Sequence, residues 1–529
     1  MQYISCALKA RFLVLGFALL VSSAANTAVT FIDIWEYRVA GNSILPDELI
    51  QQRLSRFTGP ARTIEDVEAA IQVLTQEYKN AGFPAVYVEM PPQTVVNGVF
   101  KLAVTETTLR RLKISDATYF LPSSVRKSIA SLERGRPINL PRLQDDVQRL
   151  NTTNPAMKIV PVLTQGPTAD TIDLELNVVD EFPLQGAVEL NNYNSSNTTD
   201  TRLQFELGYT NLWQKHHSWS MTAQTSPEDT DEVRVFSTSY VAPMNSRGAK
   251  LALYGVKSDS NTASVSDIRV VGEGFVLGGR YIYPVSAEAG AISTLIAGMD
   301  YKDFDENIVV SPGQNAKTPI DYLSFSLQFT QYTKQQDWYD SLSVALTFGV
   351  RGIANENDEF QAKRSRGEPN FSVLKAEYER NYPFAQDWLF KFSSKAQLTD
   401  TPLVSNEQIS AGGNTSVKAY YESQISGDSG ISGGLSVTTP ELVTPSASVS
   451  TLKALAYVEG AYLTKQDSGI EEDSEDGISG FGIGLRAIFL KDLKVNMDIA
   501  QAFESDGSEG QGRINKGDIR ATGMIRYEF

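Results

Sequence analysis

Arg520-Ala521-Thr522-Gly523-Met524-Ile525-Arg526-Tyr527-Glu528-Phe529 is the last stretch of the 529-residue chain. Ile525, Tyr527 and Phe529 alternate with Arg526 and Glu528. In a strand, that alternation sends three apolar side chains to one face and two charges to the other. A strand in an outer-membrane barrel turns its apolar face to lipid and its charged face to a wet lumen, with aromatics at the interface. The tail therefore predicts a transmembrane β-barrel strand.

The opposite end predicts export. Lys9 and Arg11 precede a short apolar core, Phe12 to Val21, and small residues follow at Ser23-Ala24-Ala25 and Asn26-Thr27-Ala28. That is the layout of a signal peptide over residues 1–28, with cleavage after Ala25 or Ala28. Beyond it no run of 18 apolar residues would make a membrane helix. The sole cysteine, Cys6, falls inside the leader, so the mature chain offers no disulfide, thiol nucleophile or cysteine metal site. The formal charge is −16, and loss of Lys9 and Arg11 deepens it by two, to −18. Such an acidic balance argues against nucleic acid as a partner.

Two small α+β units precede the barrel. In residues 29–106 the order is strand (Thr30 to Val39), helix (Leu45 to Arg56), helix, then a closing hairpin (Val86 to Glu89, Gly98 to Val104). Thr63 and Asp66 form a capping box for the second helix. Val67, Ile71, Leu74 and Tyr78 then share one face of it. Residues 107–181 repeat the order: Leu109 to Ile114, helices at Ser123 to Leu132 and Pro141 to Leu150, and strands at Lys158 to Leu163 and Thr171 to Val179. A recurrence at about 75 residues marks a tandem repeat.

From residue 182 to 529 helical periodicity disappears. Alternating segments replace it, many about 9–12 residues long, the length that crosses a bilayer as a tilted strand. Sixteen are expected, beginning near Leu184, Thr201, Ser218, Glu232, Gly248, Phe275, Ser293, Tyr322, Tyr339, Phe371, Trp388, Gly430, Leu452, Ile478, Asp492 and Gly517. Their connections alternate short (Pro243 to Arg247, Pro383 to Gln386) and long (Ser258 to Ile268, Asp305 to Pro319, Ile353 to Asn370, Thr401 to Asp428, Asp467 to Gly477). Short turns on one side and long loops on the other are the signature of an outer-membrane barrel. An even strand count puts both barrel ends, and the small units, in the periplasm. The expected fold is a transmembrane β-barrel of 16 antiparallel strands preceded by two periplasmic α+β domains.

Leader, two βααββ repeats, sixteen segments and terminal Phe529 together resemble the two-partner secretion transporters (TpsB, hemolysin-activator/secretion type) of the POTRA-domain outer-membrane barrel superfamily. That family carries a Val-Arg-Gly-Tyr motif at the tip of the sixth extracellular loop, which folds back into the lumen. Val417-Lys418-Ala419-Tyr420 matches it at Val417 and Tyr420, with Lys418 for arginine and Ala419 for glycine. Gly427-Asp428 resembles the pair that returns the loop to the wall. The family's Phe-x-Asp-x-Gly motif on the thirteenth strand aligns with Tyr457-Val458-Glu459-Gly460-Ala461, where Glu459 replaces aspartate and the glycine is displaced to Gly460. The resemblance implies that Lys418 latches the loop to Glu459. A lysine lacks the bidentate fork, so the pair is expected to hold less rigidly. Val350-Arg351-Gly352 matches three letters of the motif but lacks its continuation. The resemblance further makes Ile525, Tyr527 and Phe529 the signal read by the barrel-assembly machinery. Because the first strand starts so near the cleavage site, no room is expected for the pore-plugging helix found in some members.

Enzymatic readings fail on residue supply. Gly427-Asp428-Ser429-Gly430 resembles a serine-protease nucleophile, but that chemistry needs a histidine base. The only histidines, His216 and His217, sit side by side, and neighbouring strand side chains point to opposite faces. No phosphate-cradling loop is present. No enzyme activity, cofactor or metal is expected. The acids Glu471, Glu472, Asp473, Glu475 and Asp476 read as a solvated loop. The expected function is secretion of a large unfolded hemagglutinin- or hemolysin-like exoprotein. Outer-membrane lipid and lipopolysaccharide would surround the barrel. Edge strands of the repeats, Leu109 to Ile114 and Lys158 to Leu163, together with the helix at Ser123 to Leu132, would meet cargo by strand addition. The alternatives are an outer-membrane protein assembly factor and a passive porin retaining its periplasmic repeats.

Overall fold

The computed structural model describes residues 31–529 except 197, 246–247, 266–267, 289, 312–313, 336–337, 354–355, 467–473 and 506–513. The expected leader and Glu471, Glu472 and Asp473 lie outside the described residues. The chain divides into two units, and the division runs through the second repeat.

The first repeat is built on the helix Ile64–Asn80. Asp66 accepts the Thr63 backbone N–H at 3.0 Å, closing its first turn. Val67, Ala70, Leu74 and Tyr78 bury one face of it against Phe100 and Leu102 of the strand Val99–Glu106. The expected first strand differs in detail. It breaks at Trp35 into Ile32–Ile34 and Glu36–Ala40. The first piece pairs with an additional strand, Gly59–Arg62, inserted between the helices, and the second runs parallel to Val99–Glu106. In the second repeat the sheet places Thr171–Asp180 centrally, with Thr108–Ser115 and Met157–Gln165 at the two edges.

Among the described residues, sixteen antiparallel strands close a barrel from Leu184–Asn191 to Ile519–Glu528, and those two pair with each other. Every expected segment is a strand. Side chains alternate as a membrane barrel requires. Phe392, Leu435, Val458 and Phe481 form one outward row across four successive strands and are all exposed, while Glu459 beside them turns inward.

Two expected long loops are instead strand. The segments near Ser258 to Ile268 and Asp305 to Pro319 belong to strands Lys250–Val265, Ile268–Glu288, Ala291–Ser311 and Gln314–Lys334, three of them 21 residues long. Pairing past the membrane needs no apolar face, so hydrophobic pattern alone could not show that it continues there. Among the described residues of the barrel region helical structure also returns once, at Asn357–Lys363 in the fifth extracellular loop, where Phe360 is the buried anchor.

The tail behaves as its pattern dictates. Ile525, Tyr527 and Phe529 face outward and are each about half exposed. Ile525 and Tyr527 lie opposite Leu190 and Val188 of the first barrel strand. Arg526 points inward. It grips Glu206 of the second strand (Arg202–Leu212) through both terminal nitrogens at 2.9 and 2.5 Å, and reaches Glu189 at 3.2 Å and Glu528 at 3.0 Å.

The luminal loop as candidate functional site

The sixth extracellular loop runs from Thr399 to Asp428 and folds back inside the wall. Its tip is a hairpin of Ile409–Ala411 paired with Ile425–Gly427. Gly412 and Gly413, at φ +111 and +86, make the bend that L side chains resist. Ser416 then clamps the turn. Its hydroxyl accepts the Gly412 N–H at 2.7 Å and donates to the Gly412 carbonyl at 3.0 Å.

This turn projects Lys418 at the thirteenth barrel strand, Val449–Thr464. The Lys418 ammonium pairs with Glu459 Oε1, and the Lys418 backbone N–H donates to Glu459 Oε2 at 2.9 Å. Both carboxylate oxygens are therefore engaged. The second donor that arginine's fork would supply comes from the main chain instead, so the pair is better fixed than its side chains alone suggest. Lys418 Nζ also stands 4.5 Å from the Tyr457 ring centroid, a cation–π contact. The two charged side chains are 14% and 10% exposed, which shields them from the screening that weakens surface pairs.

Tyr420 is fully buried, its hydroxyl 3.1 Å from the Ser479 carbonyl and 2.8 Å from that of Glu504. Val417 and Ala419 are buried in the same cluster, against wall residues Tyr457, Leu463, Ile478 and Ala500. Arg520 on the closing strand donates to the Tyr420 carbonyl and to Asn194 Oδ1 (2.6 Å), and its guanidinium lies 4.3 Å from the Tyr421 ring centroid.

The glycine substitution in the loop motif has a spatial answer. A Cβ at Gly480, on the fourteenth strand (Glu475–Phe489), would fall 2.9 Å from the Ala419 Cβ. The methyl group gained by the loop is thus accommodated by a wall residue that has none. Gly434, opposite Glu459, likewise clears the longer acid: a Cβ there would meet Glu459 Cγ at 3.0 Å. Gly460 carries no such demand, since its nearest neighbour would be 3.5 Å away. The signal for Gly480 was present in sequence, as Gly480, Gly482 and Gly484 alternate with Phe481, Ile483 and Leu485.

Gly427-Asp428 stands at the end of the loop. Asp428 is fully buried and its carboxylate accepts from the Leu403 N–H (3.1 Å), Gln408 Nε2 (2.9 Å) and the Gln466 N–H (2.7 Å). Arg364, the residue ending the helix of the fifth loop, approaches it at 3.7 Å. The fifth, sixth and seventh loops meet on this one side chain. Nothing in the local sequence around Arg364 announced that role. By contrast, Arg351 of the look-alike motif pairs with exposed Glu368 at 3.7 Å, away from the loop tip.

His216 also has a place that sequence left unassigned. It lies in the periplasmic turn between the second strand and the third (His217–Thr225), stacked 5.8 Å from Phe120. Asn154 Nδ2 lies 2.6 Å from its Nδ1, and Ser124 Oγ lies 3.4 Å from its Nε2. Burial holds its pKa below the usual imidazole value, with the neighbouring His217 and Arg149 adding to the shift.

A closed barrel, periplasmic repeats and an inward-folded sixth loop define an outer-membrane protein transporter. Residues 170–487 match the family described as haemolysin secretion/activation protein ShlB/FhaC/HecB, and residues 32–107 match the ShlB-type POTRA domain. The chain belongs to that family, whose members secrete a partner exoprotein across the outer membrane, and its POTRA domains lie in the periplasm. It is 23% identical over 464 residues to the outer membrane transporter CdiB of Escherichia coli, across 83% of this chain and 73% of that protein. The solved structure of CdiB from Escherichia coli superposes with a TM-score of 0.71 at 17% identity, covering 97% of this chain and 93% of the other. CdiB from Acinetobacter baumannii gives 0.63 at 14% identity, covering 94% and 90%. These structures share the fold.

Proposed function

We propose that this chain exports one large, unfolded, hemagglutinin- or hemolysin-like partner, and that its sixth loop obstructs the lumen until the Lys418–Glu459 pair yields. The observation that carries this reading is the loop tip itself, held inside the wall by Lys418, Tyr420 and Arg520. The edges of the second repeat, Thr108–Ser115 and Met157–Gln165, would receive an extended cargo segment beyond Leu109, which already pairs with Gly135 and Arg136, and beyond Ile159, whose backbone Asn151 already holds. Cargo folding outside the cell supplies the direction of transport.

The test uses the absence of other cysteines from the mature chain. Lys418→Cys with Glu459→Cys puts two thiols at the facing positions of the loop and the wall. A short bis-methanethiosulfonate that links them should abolish appearance of the partner in the medium, and reductant should restore it. The partner is recognised as the large protein lost from the medium when this chain is deleted. Secretion that continues through the linked barrel would sink the reading.

A further inference from the structure

The sixth loop is two pieces, not one. Leu403 and Val404, on its first limb, are buried in a cluster with Val256, Val276, Phe304, Tyr322 and the loop-five anchor Phe360. Ile409 to Ile425, the tip, is buried in a different cluster with Tyr457, Leu463, Ile478 and Ala500. The chain passes from one cluster to the other at Glu407 and leaves the tip at Asp428.

Both crossing points are polar and buried. Glu407, whose side chain is 1% exposed, pairs with Lys302 of the seventh strand (Ala291–Ser311) and accepts the Tyr322 hydroxyl at 2.8 Å. Lys302 in turn stands 5.5 Å from the Tyr322 ring centroid. Across the neck, Asp428 is held as described above. One side chain joins the two sides. Gln397 Nε2, on the eleventh strand (Trp388–Leu398), donates to the Glu407 carbonyl at 3.0 Å and to the Asp428 carbonyl at 2.9 Å.

A buried carboxylate with an ammonium and a hydroxyl on it is costly to release. Removing a partner from such a pair leaves an uncompensated charge in the interior. The limb is also packed into the wall by its apolar residues, and packed interiors switch between discrete arrangements rather than deforming gradually. Lys418 has one carboxylate and can be freed alone.

We infer that Glu407 and Asp428, bridged by Gln397, form the fixed neck of a hinged flap: the tip from Gln408 to Gly427 swings, while the limb from Thr399 to Glu407 stays as part of the barrel wall. Lys302 is the positioning residue that anchors this neck. The inference rests on the reading that the tip obstructs the lumen, and it sets which residues leave.

The experiment needs no cargo. Val404→Cys and Val417→Cys place single thiols in the limb and the tip, at positions 2% and 0% exposed. Each is combined with Lys418→Glu or with Glu407→Gln, and intact cells are treated with a membrane-impermeant maleimide. Heat-modifiable migration on gels selects barrels that have folded. With Lys418→Glu, labelling at 417 should rise severalfold and labelling at 404 should stay at background. With Glu407→Gln, labelling at 404 should appear. Equal labelling of both thiols in Lys418→Glu would overturn the hinge, because the loop would then leave whole. Protection of 404 in Glu407→Gln would overturn the anchoring role of that pair. Protection of 417 in Lys418→Glu, with 404 labelled in Glu407→Gln, would count against the tip latch while leaving the neck standing.

Discussion

Arg526 at the barrel seam and Lys418 at the loop tip perform similar tasks with different means. Each is an inward cation that ties a late segment of the chain to an earlier wall. Arg526 engages three carboxylates, on the second strand, the first strand and its own, with a two-point grip on Glu206. Lys418 engages one carboxylate and lends its backbone N–H to complete the contact. A planar fork with several acceptors suits a joint that stays shut, because no single break frees it. A point charge with one acceptor suits a joint that opens. On the proposed function, the difference teaches that this barrel separates closure, a permanent property, from obstruction, a reversible one.

The largest effect should come from attacking the permanent joint. Arg526→Glu places a fourth acid among Glu189, Glu206 and Glu528. Loss of a mostly buried cation from such a site costs roughly 3–5 kcal/mol before repulsion is added. The folded, heat-modifiable band should disappear and the chain should be degraded. A normal folded band would show that the seam depends on backbone pairing alone.

A smaller effect is expected at the releasable joint. Lys418→Met leaves Glu459 with one N–H donor and removes a charged hydrogen bond worth about 2 kcal/mol, roughly thirtyfold in the open-to-closed ratio. Planar-bilayer recordings should show far more open time with the barrel otherwise intact. Lys418→Arg should act in the opposite sense, closing the pore further by about 1 kcal/mol, near fivefold. If Lys418→Arg opened the pore as Lys418→Met does, then shape rather than charge would govern the latch.

The smallest effect concerns pH. The His216 pKa lies below its usual value, so the folded protein disfavours the imidazolium. A group with a depressed folded pKa binds its proton more readily when unfolded. Its contribution is therefore whole above about pH 6.5 and falls away as the solution becomes more acidic. Protonation would also set an N–H against the Asn154 amide. Hydrogen exchange at Phe120 to Val125 should accelerate below that pH in the native protein and change little in His216→Gln.

Much of this was readable from residues. Period-two alternation located the sixteen strands because lipid and water impose opposite demands on their faces. The capping box at Thr63 and Asp66 and the helical face of Val67 and Leu74 marked the first repeat for the same kind of local reason. The pairing of Lys418 with Glu459 followed from resemblance, and geometry then supplied the backbone N–H that resemblance could not. What stayed hidden was non-local. Arg364 meets Asp428, and Lys302 meets Glu407, across more than sixty residues of intervening chain, and no neighbour in sequence hints at either partner. The long strands through Asp305 and Pro319 were hidden because pairing outside the membrane needs no apolar face.

Arg520 carries a final consequence. It belongs to the closing strand, yet it holds the Tyr420 carbonyl of the loop and the Asn194 side chain just past the first strand. The free energy by which a docked tip favours a zipped seam must then equal that by which a zipped seam favours a docked tip. Assembly and plugging are thermodynamically reciprocal in this barrel. A chain that has just inserted should finish its cylinder most readily with its own loop already seated, so on the proposed function the newborn pore arrives sealed.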